Sequence, residues 1–336
     1  MQKNNDHLED QFEGFWWEIG KDDLIFQGTL EKYASGKMLL SIVSYYSSQS
    51  QINEAPFKLG TLQGLAKSTS LNSEYSFYLF DLFHYSENSS NLVRRKYFIN
   101  YLLKSQPASD SDLSFQNIYL SSKKLSDWIT PTGFNLIKSN IQEFQATIEY
   151  SRPEPIHLFG NDEIKIEISF QVARRFKNRR QELIEETPLL NISVNKSHSL
   201  NEIFPLVKSI EWFFMLLWEK PHFFHEVSLN SINGNNYELW SHRDSVSGID
   251  KRTIDFREFT SKSHMVLGNW QEVSTHFDLP IRSFFFAFSD NKLGIHNRFL
   301  NYLFALEQLH RTGFRTSEPL SLKNERMTQK ALEEVR

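Results

Sequence analysis

The chain has 336 residues, a formal net charge of −4 at pH 7 and no cysteine. The small net charge excludes a global field that draws in nucleic acid or an anionic membrane. The lack of cysteine excludes disulfides, thiolate nucleophiles and Cys-ligated metals. The N-terminus is polar, and no apolar run is long enough to cross a bilayer. We therefore expect a soluble, cytoplasmic protein without contact with a membrane.

The first half of the chain predicts β-strands. Short segments rich in aromatic and β-branched residues are separated by polar or Gly-containing breaks. Residues 142–150 and 163–170 alternate polar and apolar side chains, as half-buried strands do. No regular strand–helix alternation runs through this region, so we predict an antiparallel, sandwich-like arrangement. The other predicted strands are 25–31, 38–45, 75–85, 93–103, 115–122 and 224–231.

Helical periodicity appears later in the chain. The segment Ser199–Trp218 begins with Ser199 and has Glu202 three residues later, which is the spacing of a capping box. Helix is expected again from about Asn269. The predicted class is therefore α+β, with a β-rich region over residues 1–268 that contains one long helix, and an α-helical segment over residues 269–336.

The helix predicted at Arg298–Arg311 combines two apolar rows with a polar end. One row contains Phe299, Tyr302, Leu303, Leu306 and Leu309, and the other contains Leu300, Phe304, Glu307 and Arg311. His310 lies on the same side as Glu307, so that Glu307, His310 and Arg311 form one patch. Two interpretations stay open: an ordinary helix end whose cations favour the negative pole of the helix dipole, or a functional patch.

A basic cluster follows the strand predicted at 163–170. Its five cations are Arg174, Arg175, Lys177, Arg179 and Arg180. Arginine and lysine at this density hold phosphate groups, so these residues are candidates for nucleic-acid binding. The three carboxylates of the next six residues offer a second interpretation, a solvated element with internal ion pairs.

The histidines give little support for a metal site. His222, His225 and His242 occur near Glu219, Glu226 and Asp244, but His222 and His225 are expected in an extended segment, where they point to opposite faces. Phosphate-binding loops, dinucleotide-binding motifs and nucleophile-elbow motifs do not occur in the sequence. We therefore predict no metal and no cofactor.

Several motifs, taken in order, resemble those of one family. "FEGFWW" (12–17) and "FQGTL" (26–30) resemble the start of the ApeA-type N-terminal domain. "LSDWITPTGF" (125–134) and "IKIEISFQVARRF" (164–176) follow in the same order, and so does the helix that precedes Pro221. "RFLNYLFALEQLHR" (298–311) then resembles the first long helix of an attached HEPN domain.

This resemblance implies a role in bacterial antiviral defence by abortive infection. The β-rich region acts as the sensor in that family, and the HEPN domain acts as a metal-independent ribonuclease with an Arg-x(4–6)-His motif. The histidine serves as general acid or base and the arginine stabilises charge on the phosphoryl oxygens. Glu307, with His310 and Arg311, matches at most an accessory position of such a site.

The sequence departs from the family at the catalytic motif. No histidine follows His310, and the matching spacing from Arg257 to His264 occurs in a Ser/Thr-rich stretch that we interpret as loop or strand. We therefore expect an incomplete HEPN-like domain whose catalytic half is truncated, encoded separately or lost. The chain is predicted to be non-catalytic as it stands.

The resemblance also implies partners. It predicts RNA or a phage component as trigger or target, and a homodimer formed through the C-terminal helices. The alternative is a carbohydrate- or small-ligand-binding β-sandwich protein, in which several Trp or Tyr side chains line an exposed groove. The sensor interpretation instead places most aromatic side chains, including Trp16, in the core.

Overall fold

The computed structural model describes residues 7–19, 25–45, 61–89, 92–107, 113–140, 145–178, 181–241, 254–289 and 293–313. The chain divides into two compact units. Unit 1 consists of Met1–Glu211 and Phe223–His264, and unit 2 consists of Trp212–His222 and Met265–Arg336. The predicted α+β class, with a β-rich N-terminal region and helices towards the C-terminus, is confirmed.

The strands are numbered in chain order within the described residues. They are β1 (Leu8–Glu18), β2 (Phe26–Tyr33), β3 (Met38–Tyr45), β4 (Leu62–Ser68), β5 (Glu74–Ser89), β6 (Leu92–Ser105), β7 (Ser114–Ser121), β8 (Phe134–Asn140), β9 (Gln145–Tyr150), β10 (Ile156–Gly160), β11 (Ile164–Asn178), β12 (Gln181–Ser199), β13 (Glu226–Ser231) and β14 (Asn236–Ser241). The helices are α1 (Lys123–Trp128), α2 (Leu200–Leu217), α3 (Phe256–His276), α4 (Asp278–Ser289) and α5 (Ile295–Gly313).

Six strands of unit 1 close into a ring. Their hydrogen-bonded order is β6-β3-β2-β1-β4-β5, and β5 pairs again with β6, so each strand of the ring has a neighbour on both sides. The pairs are antiparallel, as predicted. Alternate side chains point inwards, as along β4, and form an apolar core that includes Trp16, Leu30, Leu79 and Ile99.

Two glycines let the Trp16 indole fill the inside of this ring. A Cβ atom at Gly64 would lie 2.2 Å from Cε3 of Trp16, and one at Gly28 would lie 3.1 Å from its Cδ1. Side chains larger than hydrogen do not fit at the first of these distances, so the sequence needs glycine where β4 passes the indole. Trp16 itself is fully buried.

The other strands of the large sheet extend from β6 in the order β14-β13-β7-β12-β11-β10. β3 pairs with Leu92–Phe98 of β6, and β14 pairs with Tyr101–Ser105 of the same strand. The 12 strands therefore form one continuous sheet that is closed at one end and open at the other. A separate two-stranded sheet consists of β8 and β9.

β11 and β12 form a ribbon longer than the sheet that carries it. β10 pairs with β11 only as far as Ile168, and β7 pairs with β12 only from Leu190 onwards. Beyond these points the two strands pair with each other up to Asn178 and Gln181. The sequence pattern predicts a strand only as far as Phe170 and none over residues 181–198, because the charged tip lacks the usual strand composition.

α2 begins at the predicted capping box. Glu202 Oε2 accepts hydrogen bonds from the Ser199 backbone N–H and from its hydroxyl, each at 2.8 Å. The prediction of a helix near residues 199–218 is confirmed. The Ser199 backbone N–H holds the pKa of the Glu202 carboxyl below its usual value, with smaller contributions from the Ser199 hydroxyl and His198.

The start of α3 corrects the sequence analysis. The Arg257–His264 stretch, interpreted as loop or strand, is helical. Serine and threonine hydroxyls there donate to backbone carbonyl oxygens three residues earlier, which satisfies both groups inside the helix. These bonds run from Thr260 to Arg257, from Ser261 to Glu258 and from Ser263 to Thr260. A high Ser/Thr content therefore concealed a helix.

Aromatic packing fixes these first turns of α3 within unit 1. The Trp128 ring centroid lies 5.1 Å from that of Phe256 and 5.2 Å from that of Phe259. The Trp128 indole N–H donates to the carbonyl oxygen of Ile254 at 2.6 Å. Since Phe256 and Phe259 are three residues apart, the same face of the helix presents both rings.

Unit 2 is held together by rings from the end of α2 and from the later helices. Trp212 stacks on Phe285 of α4 with centroids 5.7 Å apart and planes 7° apart. Phe284 of α4 contacts Tyr302 of α5 at 5.3 Å. Ala287 and Ala305 are buried, and small side chains of this kind allow two helices to approach closely.

Candidate functional site

The polar patch predicted at the end of α5 is a surface feature. Glu307, His310 and Arg311 are all exposed, and Glu307 accepts an ion-paired hydrogen bond from Arg311. Exposed pairs of this kind at i and i+4 contribute little to stability. The structure thus brings Glu307 and Arg311 together on the last turns of α5, and His310 lies on the same turns.

Both apolar rows of α5 are exposed. The exposed side chains are Ile295, Phe299, Leu300, Leu303, Phe304, Leu306 and Leu309. The side of α5 that is buried centres on Ala305. The segment Ser321–Val335, which we expected to cover one row, lies outside the described residues. A helix with seven exposed large apolar side chains presents far more apolar surface than scattered single residues do.

The β11–β12 ribbon carries the predicted basic cluster. Arg174 is exposed near the tip and lies opposite Ile184 of β12, and Arg175 lies opposite Leu183. Lys177 follows on the same strand. The structure does not describe the side chains of Arg175 and Lys177, and Arg179 and Arg180 lie outside the described residues. The ribbon therefore carries Arg174, Arg175 and Lys177 away from the rest of the sheet.

The Arg257–His264 match lies on one helix. The two residues are seven apart in α3, which places both on the same side of the helix, and both are exposed. The His264 ring lies 5.2 Å from the Phe159 ring, and its Nε2 is 3.3 Å from the carbonyl oxygen of Gly160. These contacts attach His264 to the end of β10.

The histidines considered for a metal site have different environments. His222 is buried with its ring edge-on to Trp218, at 4.4 Å, whereas His225 is exposed. His242 lies outside the described residues. In the described part of the chain, no group of three His, Asp or Glu side chains lies close enough together to hold a metal ion.

A pocket that the sequence analysis missed lies beside β11 in unit 1. It has a volume of about 520 Å³ and forms where the segment between β9 and β10 approaches the ribbon. The lining residues include two tyrosines, one arginine, one serine and one glutamine. The lining residues are Tyr119, Tyr150, Arg152, Ser169, Phe170, Gln171, Val172 and Leu189.

The backbone at Gly133 packs closely against the Tyr150 ring. A Cβ atom at Gly133 would lie 2.6 Å from the Tyr150 ring and 2.3 Å from the Ser151 carbonyl oxygen. The Gly133 N–H donates to Glu186 of β12 at 3.0 Å. Burial raises the pKa of the Tyr150 hydroxyl, and the neighbouring Glu186 carboxylate raises it further, against a smaller opposite effect of Arg152.

No local signal in the sequence could have found this pocket. Its residues come from β7, the end of β9, the following segment, β11 and β12. They meet only because β12 lies between β7 and β11 in the sheet. The pairing of β12 was itself missed, so the positions of Tyr119 and Arg152 relative to each other could not be inferred.

The fold and these sites define a class of protein with a large antiparallel sheet, closed at one end, and a smaller helical unit. The model of the ApeA N-terminal domain 1 family matches residues 11–291, and the chain belongs to this family. No curated protein and no solved structure matches the chain. Within the described residues, none of the helices has the length and apolar character needed to span a membrane.

Proposed function

We propose that this chain is the sensing and regulatory part of a HEPN-type anti-phage ribonuclease, that it contacts RNA through the β11–β12 ribbon, and that it does not itself cleave RNA. The observation that carries the proposal is membership of the ApeA N-terminal domain 1 family over residues 11–291. The trigger is RNA or a phage component, and the site of action is the cytoplasm.

The distribution of aromatic side chains favours this proposal over a sugar-binding protein. None of the seven tryptophans is exposed, and Trp16 and Trp218 have no accessible surface. Among the tyrosines whose side chains are described, only Tyr85 is exposed. A protein that stacks sugars needs exposed rings in a groove, whereas these rings contribute to the core.

The ribbon supports the RNA contact. The two strands extend past their sheet, so the ribbon carries Arg174, Arg175 and Lys177 beyond the strands β10 and β7 that flank it. The net charge of −4 makes any such binding local, because the chain as a whole repels phosphate. Binding by point charges of this kind releases counterions and is therefore strongly dependent on salt.

The exposed rows of α5 support self-association. The α5 helix of a second copy can cover these apolar rows. Two α5 helices related by a twofold axis bury the same rows against each other. Glu307 and Arg311 on each copy then lie at the edge of the contact, where charged residues are tolerated.

RNA binding by the ribbon is tested with fluorescence anisotropy of labelled single-stranded RNA at several salt concentrations. The test variant replaces Arg174, Arg175 and Lys177 with Gln. We expect its affinity to fall about tenfold or more at about 0.1 M salt, and the slope of log K against log salt to decrease by roughly 2, since each phosphate contact on a single strand contributes about 0.7.

The matched control removes the same number of exposed cations elsewhere in unit 1, with Lys67, Arg94 and Lys196 replaced by Gln. We expect it to bind RNA within about twofold of the unchanged chain. Equal losses in both variants would show that binding is non-specific, and no binding by the unchanged chain would overturn the RNA contact.

A further inference from the structure

We propose that the pocket beside β11 binds a nucleoside monophosphate: a flat heteroaromatic ring that carries a single anionic group. The pocket volume of about 520 Å³ falls in the range of small-molecule sites and exceeds what one amino acid fills. This proposal goes beyond the proposed function, and its failure would leave that function untouched.

Arg152 supplies the anion site. Among the described lining residues it is the only cation, and it has no ion-pair partner among the residues that the structure describes. A planar guanidinium binds phosphate through two parallel hydrogen bonds. One cation matches one anionic group, whereas a triphosphate needs several cations or a metal ion to neutralise it.

The rest of the lining suits a heteroaromatic ring. Leu189, which lies opposite Ser169, offers apolar surface, and the phenol rings of Tyr119 and Tyr150 add aromatic surface. The Gln171 carboxamide supplies both donors and an acceptor, which is the combination that pairs with the edge of a nucleobase. The Ser169 hydroxyl, beside it on β11, acts as donor or acceptor.

The Tyr150 hydroxyl, which lies beside the Glu186 carboxylate, is a second polar group in the pocket lining. It is buried, and no described atom meets the geometry of a hydrogen bond with it. Buried hydroxyls without partners are rare in native proteins because they retain the full cost of desolvation. A tyrosine hydroxyl is protonated near neutral pH, so it can donate to a ligand oxygen.

The test is isothermal titration calorimetry of the full chain with AMP, GMP, CMP and UMP as probes. We expect at least one to bind with a Kd of about 1 mM or below. The matching nucleoside should bind about tenfold more weakly or worse, because it lacks the anion. The matching triphosphate should bind no more tightly than the monophosphate.

Two variants locate the binding. Arg152→Gln should weaken it about tenfold or more, and Tyr150→Phe about fivefold. The melting temperature of each variant, measured alongside, shows that the variant is folded. Arg94→Gln, an exposed arginine of β6 outside the pocket lining, is the matched control and should bind as the unchanged chain does.

Several results would overturn the proposal. These are no binding of any of the four probes to a folded chain, equal binding of nucleoside and nucleotide, tighter binding of the triphosphate, or binding unchanged in both Arg152→Gln and Tyr150→Phe. Indole-3-acetate, a flat aromatic carboxylate, is included as a competitor. If it binds more tightly than every monophosphate, the ligand class is wrong.

Discussion

At the scale of single residues, Trp16 and Gly64 approach closely inside the ring of unit 1. Trp16→Ala should lower the free energy of unfolding by about 3–5 kcal/mol, because it leaves a cavity among fully buried side chains. Denaturant unfolding measures the effect. A loss below about 1 kcal/mol would contradict a structural role and favour a surface one.

The contact itself is tested from the other side by Gly64→Ala. The new methyl group would lie 2.2 Å from the indole, so we expect a loss of about 1–3 kcal/mol. In a Trp16→Phe background the indole edge that contains Cε3 and Cζ3 is lost. Gly64→Ala should then cost less, and the difference between the two backgrounds gives a coupling energy of about 0.5–3 kcal/mol. Additive effects would show that the two residues do not compete for this space.

The sequence predicts the burial of some residues but not the close contacts of others. It placed Trp16 in the core because aromatic side chains in a strand need burial, and the structure buries it fully. It gave no account of Gly64 or Gly133, since the close approach that each permits comes from a strand or segment distant in the sequence. The same limitation hid Tyr150 and Arg152.

At the scale of elements, the start of α2 depends on the ionisation of Glu202. Because the pKa of this carboxyl is lowered in the folded chain, its stabilising contribution is present above the ordinary value of 4.5 and is lost as the pH falls through the folded value. Glu202→Gln should therefore lower the melting temperature at pH 7 and have less effect near pH 3.

Thermal melts of both proteins between pH 3 and pH 7 measure this difference. Glu258→Gln is a suitable control, because Glu258 also lies in the first turn of a helix but its carboxylate pairs with the Lys262 side chain. A melting difference for Glu202→Gln that stays constant across this range would contradict the role of the charged capping carboxylate.

The C-terminal helix carries the prediction about oligomeric state. At about ten micromolar the chain should self-associate through α5, and Leu300→Ser combined with Phe304→Ser should yield a monomer. The melting temperature should change little, since both side chains are exposed. Light scattering measures the mass. The control pair Leu71→Ser and Phe83→Ser removes exposed apolar side chains of unit 1 and should leave the association intact.

A monomer of the unchanged chain at that concentration would contradict this contact.

Helix periodicity predicted the two rows of α5, because apolar spacing is a local property of the sequence. It could not predict that α5 buries the side around Ala305 and leaves both rows accessible, since that choice depends on α4.

Elements with ordinary composition were predicted well, and elements with misleading composition were not. β3 begins and ends where aromatic and β-branched residues predicted it. β12 was missed because its charged N-terminal half acquires strand structure only by pairing with β11. The first turns of α3 were missed because serine and threonine, which favour loops, are satisfied there by backbone carbonyl oxygens.

At the scale of the whole molecule, the order of modest motifs was more informative than any single one. It indicated the ApeA-type N-terminal domain, and the family match over residues 11–291 agrees. The α+β class followed from the change of period along the chain. The closure of six strands into a ring could not be predicted, because it depends on the second pairing of β6 with β5.

The central claim is that this chain senses and regulates without cleaving RNA. The most direct measurement is incubation of the purified full chain with total tRNA and mixed single-stranded RNA, followed by denaturing gel electrophoresis. We predict intact RNA, because His264 of the Arg257–His264 match on α3 contacts the Gly160 carbonyl and the Phe159 ring. RNA cleavage by the chain would contradict the account. Loss of that cleavage in Arg257→Ala and His264→Ala would place the site on α3, and its persistence would place the site elsewhere.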